Sequence, residues 1–360
     1  MYDENRTPPA VTVKTVMTHG DQPGIDDSRP PPRAGWLVWL LAAAVIIAAL
    51  VLAASRRDEL GQAFEQLSHV NPAKAALALI CQAGAMWCLA AVQRWLLLTG
   101  GLRMGMRPLL SMILASNAVA GALPGGAAFS AAWLYQQLHR RGASKALAAA
   151  SLVIAGALSA LGLIAVLAAG LLTAGARGPA GVLGRIGIVL VLLALLVLVL
   201  ARSAAVRAWA RRGWRRVQAR HRRAREGTEA VNRLLVQARA IQPGFRPWLR
   251  PYAYAQFNWL LDAACLVASL WALGISVPWH GVLIAYGLTQ IPGSLRLTPG
   301  GVGVVEASMA ALLVVYGLNA ADALAATLLY RIWSYWLLQP IGWGCWLALS
   351  VQGRREAKGE

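Results

Sequence analysis

Acidic side chains are scarce in this chain. Its 360 residues hold 15 Asp and Glu against 34 Lys and Arg. A metal-dependent transferase site facing water needs several carboxylates, and no such cluster is evident. Cysteine is equally thin. Cys81, Cys88, Cys265 and Cys345 all lie inside apolar stretches without metal-ligand spacing, and they read as small core residues. A nucleotide-binding motif is missing too. Gly301-x-Gly303-x-x-Glu306 lacks the last glycine of a dinucleotide fingerprint and has no strand–turn–helix context. ATP-driven transport by this chain alone is therefore not expected, and neither is any cofactor. No cleavable signal peptide is expected either, because the first apolar run begins near residue 34 behind an acidic, proline-rich leader.

What the chain has in excess is apolar surface. Hydrophobic residues make up 58% of it, and mean hydropathy is +0.54, above the range of soluble domains. The run at 189–200 (VLVLLALLVLVL) has no polar side chain. With its neighbours it reaches the roughly 18–20 residues that cross a hydrocarbon core. The sequence therefore predicts an all-α, polytopic transmembrane bundle. Full spans are expected at 34–54, 72–99, 144–174, 182–201, 251–273 and 321–351. Residues 1–33, with six prolines, form a disordered leader. Residues 58–70 form a short amphipathic piece at the interface, with Leu60, Phe64, Leu67 and Val70 at helical spacing.

Two further apolar units are interrupted. Residues 107–138 break at Pro124-Gly125-Gly126, and residues 281–318 break at 297–301. Half-helices too short to span suit re-entrant hairpins or short tilted spans. The breaks resemble each other: Leu123-Pro124-Gly125-Gly126 and Thr298-Pro299-Gly300-Gly301 are offset by 175, as are Gly142 and Gly317. Three crossings separate the hairpins, so the two copies are expected to be inverted, as in many transporters.

Charge sets the orientation. Residues 202–250 hold 14 arginines and two acids, Glu226 and Glu229, which marks a cytoplasmic linker. Counting outward puts both termini, including the tail 352–360, in the cytoplasm of a multi-pass cell inner-membrane protein. Arg103, Arg107, Arg140 and Arg141 then make the first hairpin enter from the cytoplasm, and Trp279 and His280 make the second enter from outside. Arg56 and Arg57 fall outside in this scheme, partly offset by Asp58 and Glu59. The arginine block reads as an anchor on anionic membrane lipid. Nucleic acid is not an expected partner, because the location explains the charge. Oligomerisation is left open.

Ionisable residues inside the apolar units are few: Asp262, Arg296, Glu306 and Arg331. Each costs about 2.5–3.5 kcal/mol at the bilayer centre on insertion scales and so is paired or functional by default. Arg94, near the end of its span, is expected to snorkel. Around the second break, Arg296, Thr298 and the N–H groups of Gly300, Gly301 and Gly303 face a helix N-terminus, an arrangement that suits a phosphate. Arg331 extends the path, Glu306 positions an arginine, and Gly125 and Gly126 contribute from the opposite hairpin. The competing reading is a tight membrane turn in which Glu306 caps the helix dipole. Asp262 or Glu306 could partner either arginine.

The stretch Pro299-Gly300-Gly301-Val302-Gly303-Val304-Val305-Glu306 resembles the second signature of the lysylphosphatidylglycerol synthase transmembrane-region family, also called flippase-like integral membrane proteins. Arg94-Trp95 resembles its early Arg-Trp, and Asn117 through Gly126 its first Pro-Gly hairpin. The resemblance covers about residues 36–350. It implies an inner-membrane bundle with re-entrant helices that handles phospholipid or polyprenyl-linked lipid. Two departures stand out. The first break, Pro124-Gly125-Gly126-Ala127-Ala128-Phe129-Ser130-Ala131, lacks the charged residues often found there, and no soluble aminoacyl-transfer domain follows, so lysine transfer is not expected. The leading expectation is a lipid flippase. The alternative is a membrane subunit of an aminoacyl- or glycosyl-carrier lipid-modifying enzyme, and such an enzyme is also a candidate partner. A third reading is a scaffold that recruits partners through the arginine block.

Overall fold

The computed structural model describes residue 61 and residues 65–122, 126–173, 246–295 and 298–358. The leader, the expected spans at 34–54 and 182–201, most of the arginine block, Gly125 and Arg296 lie outside the described residues.

Every regular element described is helical, and no strand occurs among the described residues. Helix α1 runs Pro72–Thr99, the expected span, and opens on Asn71, whose side chain accepts the N–H groups of Ala73 and Lys74. Asn and Pro at these positions answer the unpaired donors of a first turn. The first interrupted unit is α2 (Met106–Ala122) and α3 (Gly126–Arg140), followed by α4 (Lys145–Thr173). Helix α5 (Arg246–Ala272) begins before Pro251, which it holds within its first turns. The second interrupted unit is α6 (Val282–Leu295), a short 3₁₀ turn (Pro299–Gly301) and α7 (Val304–Val315). Helix α8 (Ala320–Arg331) then passes through a π segment (Ile332–Trp336) into α9 (Leu338–Lys358). The last span was expected to end at 351; the helix continues into the basic tail.

Helix α1 packs along α5, antiparallel to it. At one end of the bundle the Trp95 and Trp248 rings meet at 5.2 Å. At the other, the Asn71 N–H donates to the Ala272 carbonyl at 2.9 Å. Arg107, Arg141, Leu349 and Gln352 line one groove at the Trp95 end. The α2–α3 hairpin therefore begins and ends at that face. The α6–α7 hairpin begins and ends at the opposite face, where the His280 and Tyr316 rings lie 6.0 Å apart. Leu67 and Val70, from the amphipathic piece, pack there on Ala272 and Leu329, and Gln66 donates to Asp322 at 2.8 Å.

The two halves share corner chemistry. After α1 and α5, Gly101 (φ 87°) and Gly274 (φ 73°) turn the chain left-handed. After α3 and α7, Gly142 (φ 96°) and Gly317 (φ 102°) do the same. Each is followed by a residue donating back across the corner: Leu102 to Leu97, Ala143 to Leu138, Ile275 to Leu270 and Leu318 to Leu313. This is the 6→1 bond of a Schellman C-cap. Ser144 and Asn319, also 175 apart, then cap the next helices through their side chains.

Two of the described helices, α1 and α4, are long and apolar enough to cross a membrane, and only 22% of the most apolar part of α4 is covered. Ile80, Phe129, Leu172, Phe257 and Leu347 are also exposed. A surface this apolar is unfavourable in water and natural against lipid tails. Small residues close the seams. A side chain at Gly342 would strike the Leu114 carbonyl, and one at Gly170 the backbone of Ile284. Such close helix approach is how packing without a hydrophobic drive is achieved in membranes.

Candidate functional site

The chemistry gathers where the interrupted helices meet. Gly300 (φ 62°), Gly301 (φ 68°) and Gly303 (φ 85°) all adopt the left-handed conformation that side-chain-bearing residues avoid. They let the chain reverse tightly between α6 and α7. Buried Thr298 closes this turn by donating to the Val302 carbonyl at 2.8 Å. Glu306, in the first turn of α7, accepts the Gly303 N–H at 2.7 Å through Oε2. Its Oε1 accepts from Arg331 Nε at 2.6 Å. Arg331 Nη2 donates to the Gly300 carbonyl at 2.9 Å, and the guanidinium lies 4.5 Å from the Tyr335 ring centroid. Arg331 is buried and Glu306 largely so, at 8% and 14% side-chain exposure.

Tyr335 ties this turn to the first hairpin. Its hydroxyl donates to the Gly121 carbonyl at the end of α2, at 3.1 Å, and accepts from Gln339 at 3.2 Å. The same ring packs against Gly300, and α2 contacts the Pro299–Gly301 turn. Tyr335 lies within the π segment. That extra residue per turn re-aims side chains, which is why π-bulges recur at functional sites.

A cavity of about 280 Å³ opens beside these groups. Helix α1 gives it Gln82, α2 Asn117, α5 Asn258 and Asp262, α6 Gln290, the turn Gly300, α8 Tyr330 and Arg331, and the π segment Ser334 and Tyr335. The volume admits several waters or a headgroup-sized polar group and is too small for an acyl chain as well. Gln82 Oε1, Asn258 Oδ1 and Ser334 Oγ are buried on this wall without a protein partner.

Of the residues expected to form an anion path, Gly300 and Arg331 line the cavity. Thr298, Gly301, Gly303 and Glu306 shape the turn and do not line it. Two expected backbone donors are engaged internally: Gly301 donates to the Thr298 carbonyl at 3.0 Å and Gly303 to Glu306. An arriving anion would have to compete with the Glu306 carboxylate for Gly303 and Arg331. Gly126 starts α3 so close to α2 that a Cβ would meet the Ala120 carbonyl. Between the two candidates for partnering Arg331, the structure selects Glu306. Asp262 instead accepts the hydroxyls of Tyr286 at 2.5 Å and Tyr330 at 2.9 Å. Sequence reasoning assigned no role to Gln82, Asn258, Gln290, Tyr335 or Gln339. The available signal was amide side chains inside apolar helices, where a polar group needs a partner or a wet cavity.

Two comparisons bear on what this arrangement serves. The sequence profile described as Lysylphosphatidylglycerol synthase TM region matches residues 39–342. A UPF0104 membrane protein of Methanothermobacter thermautotrophicus is 34% identical over 85 residues, which are 24% of this chain and 25% of that relative.

Proposed function

The chain belongs to the lysylphosphatidylglycerol synthase transmembrane-region family, a family of membrane proteins, and from that premise we propose that it is a lipid flippase or lipid transporter. Its cargo in this reading is a phospholipid or a polyprenyl-phosphate-linked lipid. The observation that carries the reading is the buried Glu306–Arg331 pair beside a polar cavity at the meeting of the two hairpins. Glu306 holds the donors a phosphate would use, a backbone N–H at a helix start and a guanidinium. A headgroup phosphate exchanges with the carboxylate, passes along Arg331 and Arg296, and is released as Glu306 returns. Exchange of one anion for another keeps the arginine compensated throughout and keeps binding weak enough for release.

Glu306→Gln is expected to slow flipping of a fluorescent phospholipid in proteoliposomes by roughly tenfold or more, since bonds to charged groups are worth about 1.5–3 kcal/mol. Arg296→Ala is expected to slow it also, with insertion unchanged in both. Wild-type rates in both variants, with normal folding, would remove the path. Activity only with a nucleotide-linked donor would favour the reading as a subunit of a lipid-modifying enzyme. Silence in both assays would favour a scaffold.

The same reading takes residues 34–351 as one flippase-like domain of six spans and two re-entrant hairpins in inverted repeat. Its supports are the paired glycine corners, the paired caps 144 and 319, and hairpins that open at opposite faces. The arginine-rich linker 202–250 then lies on anionic lipid at the cytoplasmic face with both termini, and Trp279 and His280 lie outside. In a cysteine-free background, a cysteine introduced at position 220 is expected to resist membrane-impermeant labelling of intact cells. One at position 280 should accept it. The reverse pattern would invert the scheme.

A further inference from the structure

With Glu306 and Arg331 paired to each other, one carboxyl group in the cavity stands apart. Asp262, midway along α5, is held by Tyr286 from α6 and Tyr330 from α8, both donating to Oδ2. Both rings are buried. The described titratable and charged groups that act on it are Tyr286, Tyr330, Cys265 on its own helix (itself beside Cys81 of α1) and Arg331. Arg331 is the one cation among them, and it is committed to Glu306 and the Gly300 carbonyl. Gln82 and Asn258 on the same wall carry acceptor oxygens that no protein group uses. The Gln82 side chain faces the carboxyl; it is 2% exposed, and its Oε1 has no partner. Asn258, one turn earlier on α5, also has a buried, unpartnered Oδ1 on the cavity.

We propose that Asp262, with the amide oxygens of Gln82 and Asn258, binds one monovalent cation, a proton or Na⁺, drawn from the cavity, and that this loading drives lipid movement. The coupling half rests on the transporter reading; the binding half does not. A single carboxylate balances one positive charge, and a divalent ion would leave a charge buried. The hard oxygen donors of Asp262, Gln82 and Asn258 suit an alkali ion or a proton rather than a transition metal. The tyrosines occupy Oδ2, which fixes the carboxylate.

A route to the headgroup follows from the chain itself. Tyr330 precedes Arg331. A hydrogen bond to an ionised carboxylate is about twice as strong as a neutral one, so protonating Asp262, or sharing its charge with Na⁺, loosens its hold on Tyr330. That shifts α8 at the point where Arg331 meets Glu306. Ion occupancy and phosphate access to Arg331 thereby become linked.

The test uses the full-length purified protein and two readouts. Thermal melting is measured in Na⁺ and in N-methyl-D-glucamine at equal ionic strength, and across a pH series. The wild type is expected to melt higher with Na⁺, or with falling pH if the ligand is a proton, and Asp262→Asn is expected to lose that response. Flipping of fluorescent phosphatidylglycerol is then followed in phosphatidylethanolamine–phosphatidylglycerol proteoliposomes under an imposed Na⁺ or pH gradient. The gradient is expected to change the wild-type rate by about 5- to 150-fold, the usual range for coupled sites, and to leave Asp262→Asn unchanged. Tyr286→Phe keeps the carboxylate and serves if Asp262→Asn does not fold; it should shift the ion concentration or pH at half response. A wild type that flips lipid yet responds to neither ion, in melting or in rate, overturns the site and leaves the transporter reading standing. An Asp262-dependent melting shift without any flipping supports the ion site and removes the transporter reading.

Discussion

Arg331→Met is expected to destabilise the protein by about 3–5 kcal/mol, the usual cost of removing one partner from a buried ion pair. Glu306 would keep the Gly303 N–H but would carry an uncompensated charge at 14% exposure. The double variant Glu306→Gln, Arg331→Met removes both charges and should recover more than half of the loss. Replacing a whole buried pair is often close to neutral, whereas halving it is not. Tryptophan emission during unfolding in mixed micelles gives all the corners of this double-mutant cycle. Losses that simply add would mean that the two side chains are not coupled, and the central contact of the site would have to be abandoned.

Gly300→Val is expected to cost at least about 2 kcal/mol, from two separable sources. The left-handed backbone costs an ordinary residue about 1–2 kcal/mol, and a side chain here would overlap the ring and hydroxyl of Tyr335, which adds about 1–3 kcal/mol of overpacking. Gly317→Ala supplies the control, since φ there is 102° and a Cβ would meet nothing within 4 Å. It should show the backbone penalty alone. In a Tyr335→Ala background the steric part of the Gly300 effect should disappear while the backbone part remains. Melting temperatures of these variants measure both parts. Equal losses at positions 300 and 317 would mean that Tyr335 does not sit where it ties the two hairpins.

Much of this architecture is written in local signals. The ends of α1 follow from Asn71-Pro72 and Gly100-Gly101, and those of α4 from Ser144 and the surrounding apolar run. The breaks at Pro124-Gly125-Gly126 and Pro299-Gly300-Gly301 declare themselves by residue type. The π segment does not, because Ile332-Trp333-Ser334-Tyr335-Trp336 contains no Gly or Pro. Its cause is tertiary: Tyr335 reaches Gly121, 214 residues away. The partner of Asp262 was equally illegible. An aspartate among arginines in a sequence invites an ion pair, whereas here two tyrosine hydroxyls, 24 and 68 residues on, claim it. The anion cradle was half legible. Glycine spacing forecast the turn and the helix start. It could not forecast that Gly301 and Gly303 spend their donors within the turn, because that depends on backbone dihedrals and on which way Glu306 folds back.

The four glycine corners also divide the molecule mechanically. Each is stitched by a bond from the residue beyond the glycine back to the preceding helix, so spans and hairpins meet at stiff joints that transmit torque. The Thr298–Gly303 reversal and the Ile332–Trp336 segment are different. The first turns on three left-handed glycines, and the second carries a widened ladder in which Leu337 donates to Ile332. These two irregular segments face each other across Arg331, which donates to Gly300 in the first and stacks on Tyr335 in the second. A change of geometry in either segment therefore reaches the other through the one guanidinium that touches both.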